Sequence, residues 1–158
     1  MADIAFLLLI FFLVATQIIN DKGIPVILPE YYEGPPGQAA DRNVLHILIN
    51  KQNELLIEKQ LTEIDDVKER VVDFVLNKKR MADRPDSPQK AIISLQNDKE
   101  TSYEAYMYVY SQVQAAYKAI RDDHAVERYG RRFDDLAISD KKETATAIPM
   151  RISEADPF

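Results

Sequence analysis

The sequence predicts an α+β protein: a single N-terminal transmembrane helix followed by a small domain with the element order β-β-α-β-α-β. Three observations predict it. The first nineteen positions, "MADIAFLLLIFFLVATQII", are almost wholly apolar. A stretch rich in Gly, Pro and charge then separates that run from the remainder. Beyond it, short β-branched segments alternate with longer ones whose apolar residues recur at helical spacing.

From Ile4 to Ile19 only Thr16 and Gln17 are not apolar, and no charge interrupts the run. At ~1.5 Å per residue it reaches roughly 24 Å, short of the ~30 Å hydrocarbon core, so the helix is expected to continue upstream of Ile4 and Met1 is not expected to be the natural start. No Lys or Arg precedes the run, so the positive-inside rule does not orient it. A cleaved signal peptide would need a basic leader, and "MAD" supplies a negative charge instead. A buried helix of a soluble protein would need a polar face, which Phe6 to Leu13 do not provide.

Asp3 has two readings. As an N-cap its carboxylate would accept from a first-turn amide. Inside the bilayer it would cost ~2.5–3.5 kcal/mol and would be retained because it moves protons or ions. At ~100° per residue Leu7, Ile10, Val14 and Gln17 project from the same side as Asp3, a stripe suited to a pore.

Residues 1–20 are thus assigned to the membrane helix, 21–43 to a linker and 44–158 to the domain. The linker holds one short extended piece, Ile24 to Leu28, and reads as a tether or a plain spacer. In the domain, "VLHILIN" and "LLIE" flank the turn "KQNE" and predict a hairpin. Thr62 with Asp65 predicts a helix start, and Ile64, Val67, Val71, Phe74 and Val75 form its core face. "ADRPDSPQ" ends that helix and "KAIISLQ" reads as the third strand.

Thr101 and Glu104 predict a capping box for a second helix carrying Tyr103, Tyr106, Met107, Tyr110, Val113 and Tyr117 on one side. That row reads as packing on a sheet with hydroxyls at its rim, against the alternative of a binding platform. The charged stretch from Arg121 to Glu143 is expected to be partly helical, with Gly130 weakening its continuity, and "IPMRIS" is the final strand candidate.

The net charge of −6 argues against a nucleic-acid partner. The chain has no cysteine and two histidines, His46 and His124, so no metal site is expected and His46 is assigned to strand structure. No Gly-rich phosphate loop or nucleophile motif is present, and the pairs Asp122-Asp123 and Asp134-Asp135 read as surface charge, so neither an enzyme nor a cofactor is expected.

"DIAFLLLIFFLVATQI" followed by "IPVILPE" closely resembles the ExbD/TolR family of proton-channel subunits. The intramembrane Asp, the apolar run and Leu28-Pro29 match in order and spacing, and "ISLQNDKETSYEAYMYV" resembles the family's strand, acidic turn and Tyr-initiated helix. The basic cytoplasmic tail of the family is absent here, and the segment 122–143 is longer than the family's compact pattern. The resemblance implies a homodimer threaded through a ring of ExbB-like subunits in the bacterial inner membrane, N-terminus cytoplasmic and domain periplasmic. It further implies that Asp3 carries protons and that Ile24, Val26, Leu28 and Pro29 contact partners. The proton motive force would then energise a TonB-like protein for transport across the outer membrane. The alternatives are a TolR-like envelope-integrity subunit, and a membrane-anchored structural or cell-wall-binding module without proton transport, in which the helix lies in membrane lipid only as an anchor and Asp3 only caps it.

Overall fold

A computed structural model describes residues 2–15 and 40–154. The first segment is helix α1 (Ala2–Ala15). Gln17, the expected helix end at Ile19, and the linker residues Ile24, Val26, Leu28 and Pro29 lie outside the described residues.

From residue 40 onward the chain forms strands β1 (Val44–Ile49), β2 (Leu55–Ile57) and β3 (Gln60–Thr62), helix α2 (Val67–Leu76), strand β4 (Ile92–Asn97), helices α3 (Tyr103–Tyr129) and α4 (Ile138–Ala147), and strand β5 (Ile152–Glu154). The five strands make one mixed sheet in the order β3-β2-β1-β4-β5. β1 runs antiparallel to β2 and parallel to β4, and β5 adds parallel to β4.

Period-2 alternation sets the two faces of this sheet. Leu45, Ile47 and Ile49 of β1, Leu55 and Ile57 of β2, and Ile93 and Leu95 of β4 are buried. They share one core with Val67, Val71, Phe74 and Val75 of α2 and with Val109, Val113, Ala116, Tyr117 and Ile120 of α3. The other face carries Val44, His46 and Leu48 of β1, Leu56 of β2 and Leu61 of β3, which are partly or fully exposed.

The expected hairpin, the two expected helices, the third strand and the final strand are present, but the order is β-β-β-α-β-α-α-β. β3 was not anticipated because the turn before it, Glu58-Lys59, has positive φ at both residues (50° and 67°). That is the geometry of a two-residue hairpin turn normally announced by Asn-Gly. Thr62 consequently ends β3 instead of opening a helix, and α2 starts at Val67 after a single tight turn over Ile64–Asp66. The cap of α3 is Ser102, whose Oγ accepts from the Ala105 amide at 3.2 Å. The Thr101 hydroxyl instead donates to the Ile49 and Asn50 carbonyls, closing the end of β1. Gly130, at φ 68°, is the left-handed C-cap that stops α3 after 27 residues.

Candidate functional site

Helix α1 carries the residues singled out for proton movement. Asp3 lies within its first turn, inside the helical span. Leu7, Ile10 and Val14 follow Asp3 along one side of α1 by spacing. Leu7 is 68% and Ile10 44% exposed, while Phe6, Leu9, Phe11 and Phe12, spread around the helix, are exposed by 58% or more. Large apolar side chains are therefore exposed around the helix. Fourteen residues reach about 21 Å at 1.5 Å each, and among the described residues no helix is long and apolar enough to cross a membrane.

The tyrosine row of α3 resolves into packing with hydroxyls at the rim. Tyr110 and Tyr117 are buried, and the rings of Tyr106 and Tyr110 stack with centroids 6.2 Å apart. The Tyr106 hydroxyl donates to Glu154 of β5 at 2.8 Å, and the Tyr108 hydroxyl to Asp65 before α2 at 3.0 Å. Burial, then the Glu154 carboxylate, pushes the Tyr106 phenol upward. Burial pushes the Tyr117 phenol up to about 12, offset in part by the Arg121 guanidinium and the Arg151 backbone. Tyr103, by contrast, is 77% exposed at the start of the helix.

His46 points away from the helices and is exposed, flanked in register by Ser94 of β4. Among the described residues no group of three His, Cys, Asp or Glu could hold a metal ion. The acidic pairs hold structure on the surface. Asp122 accepts from the Phe133 amide at 3.0 Å, and Asp134 pairs with Lys118 at 2.8 Å, a contact that holds its carboxyl below the ordinary range.

Sequence reasoning missed Arg121. Its Nε and Nη2 both donate to the Ile148 carbonyl, at 3.0 and 2.9 Å, and its guanidinium lies 5.6 Å from the Phe133 ring centroid. This half-buried cation fastens α3 to the chain that enters β5. A signal was present: Val113, Tyr117 and Arg121 follow at i+4 spacing, so the core stripe of α3 runs into an arginine that must find acceptors indoors.

Among curated proteins, none matches the chain in sequence. The profile described as biopolymer transport protein ExbD/TolR matches residues 1–121, covering α1, the linker, the sheet through β4 and two thirds of α3. The rest of α3, α4 and β5 lie beyond the matched region. The match spans most of the chain, so the chain belongs to the ExbD/TolR family of biopolymer transport proteins.

Proposed function

We propose that the chain is the ExbD-like subunit of an inner-membrane proton-channel motor, with Asp3 as the proton carrier. The observation that carries this reading is a lone carboxylate inside the first turn of a helix otherwise made of large apolar residues. Such a group is costly in lipid and is retained where protons move. A carrier at this position takes up a proton on one side of the membrane and releases it on the other. Moving one charge through the membrane potential yields ~2.3 kcal/mol per 100 mV, so several protons supply mechanical work.

In this reading α1 continues into a full span and pairs with a second copy inside an ExbB-like ring. Leu7, Ile10, Val14 and Gln17 line the side that faces the pore. The segment with Ile24, Val26, Leu28 and Pro29 transmits motion to the periplasmic domain, which acts on a TonB-like protein.

The test is proton flux through the complex reconstituted with its ring-forming subunit. Asp3→Asn keeps volume and polarity but cannot ionise, so flux is expected to vanish while assembly persists. Asp3→Glu keeps the titrating group and is expected to retain part of the flux. A fully active Asn variant would overturn the carrier role and leave a membrane anchor. Loss of outer-membrane uptake, as opposed to loss of envelope integrity, in a strain carrying Asp3→Asn distinguishes the ExbD-like from the TolR-like branch.

A further inference from the structure

Beyond Asn77 the chain crosses from α2 to β4 by a loop. On a chain of net charge −6, residues 78–90 carry five basic side chains against two acidic ones. Two of the five are engaged within the domain, Arg84 with Asp73 at 2.6 Å and Lys90 with Asp86 at 3.2 Å. Lys78, Lys79 and Arg80 are exposed and form no ion pair among the described residues. Met81 follows them with 39% of its surface exposed, so an apolar side chain sits beside three unpaired cations.

The loop holds this tip in one shape. Asn77 Oδ1 accepts from the Met81 amide at 2.8 Å, its Nδ2 donates to the Met81 and Pro85 carbonyls, and the Arg80 amide donates to the Asn77 carbonyl at 2.8 Å. Little freedom is left for the tip to lose when it docks. Its place in the domain follows from the strand register and one ion pair. Val44 of β1 pairs with Ile92 of β4 in parallel, so both strands begin at the same end of the sheet. Arg42, two residues after the described domain begins at residue 40, reaches Asp86 of the loop at 2.9 Å. The loop therefore shares its end of the domain with the connection to α1. The other end, around the β1–β2 and β4–α3 turns, carries Glu54, Asp98, Glu100 and Glu104 against Lys51 and Lys99.

We infer that the tip Lys78-Lys79-Arg80-Met81 docks the domain onto anionic lipid headgroups of the membrane that holds α1, an inference that rests on the membrane reading of α1 given above. The ammonium and guanidinium groups take phosphate headgroups, and the Met81 side chain enters the headgroup boundary. Three cations and one apolar side chain bind weakly alone, but the connection to α1 makes the contact intramolecular, so weak affinity suffices. An anionic surface attracts this end of the domain and repels the other, which sets the orientation of the docked domain.

The chain has no cysteine, so a single environment-sensitive dye can be attached through Ala82→Cys, beside the tip, or through Glu100→Cys, at the opposite end of the sheet. The full chain is incorporated into vesicles of phosphatidylcholine alone or mixed equally with phosphatidylglycerol, and incorporation is checked by flotation. In the mixed vesicles the dye at position 82 is expected to shift to the blue while the dye at position 100 does not. The ratio of docked to undocked tip is expected to fall about fivefold for each of Lys78→Gln and Lys79→Gln, to fall for Met81→Ser, and to fall with added salt. Asp3→Asn leaves it unchanged. A chain that floats with both vesicles and shows no shift overturns the docking alone. An equal shift in neutral vesicles or at position 100, indifference to both lysine substitutions, or the same shift produced in neutral vesicles by inorganic phosphate would each overturn it too. A chain that floats with neither vesicle overturns the membrane reading and the docking with it.

Discussion

Thr144 has no exposed surface, and among the described residues its hydroxyl has no hydrogen-bond partner. It sits on α4 where the helix turns inward. A buried hydroxyl left unpaired costs roughly 1–3 kcal/mol, while valine has the same shape and nothing to satisfy. Thr144→Val is therefore expected to raise unfolding stability by about 1 kcal/mol. A urea midpoint that moved downward would show that the hydroxyl is satisfied in solution. Asn77 is the opposite case. It ends α2 in the left-handed conformation, and its side chain accepts from the Met81 amide and donates to the carbonyls of Met81 and Pro85. One amide thus organises the loop that leads to β4.

At the scale of elements, the β2–β3 hairpin turns on two residues that prefer not to be there. The left-handed conformation costs roughly 1–2 kcal/mol for a residue with a side chain, and Glu58 and Lys59 both adopt it. Replacing the pair by Asn-Gly is expected to stabilise the domain by about 1 kcal/mol, the relief being partly offset by the freedom glycine brings to the unfolded chain. Thermal or urea unfolding of the double variant checks this. An unchanged or lowered midpoint would mean that the turn is not strained.

The same turn marks where sequence reading fails. Hydrophobic period located β1, the core face of α2 and the packed row of α3, because Leu45, Ile47 and Ile49, or Val67, Val71 and Phe74, announce their geometry without help from distant residues. β3 escaped because its turn lacks the usual residues. α4 escaped because its sequence, "ISDKKETATA", buries Thr144 and offers no apolar stripe. It is held instead by contacts such as Tyr129 with Glu143 and Arg128 with the same carboxylate. Asp3 was legible as a lone charge in an apolar run, whereas Arg121 was not, since its acceptor, the Ile148 carbonyl, lies 27 residues further along the chain.

For the whole molecule, buried phenols couple stability to alkaline pH. An unfolded tyrosine ionises near 10, and the Tyr117 phenol is pushed up to about 12 in the fold. Between those values the unfolded chain loses a proton that the folded chain keeps. The contribution is therefore fully present below pH 10 and is lost as pH rises through about 12. A shift of this size corresponds to roughly 3 kcal/mol. Tyr117→Phe keeps the ring and is expected to flatten the fall in stability over this window, leaving the decline that comes from Tyr106 and Tyr110, whose phenols burial also raises. Urea unfolding at stepped pH, for both proteins, measures the difference. Identical slopes would remove Tyr117 as a cause.

The described domain begins at residue 40, and the first strand it forms, β1, is the central strand of the sheet. Tension arriving along that strand meets six residue pairings with β4 on one flank and three with β2 on the other. These must shear together before β1 can slide. The same tension applied to β3 or β5 would meet three pairings on one flank only. The topology thus gives the first strand of the domain the largest set of pairings to resist a pull from its N-terminal side.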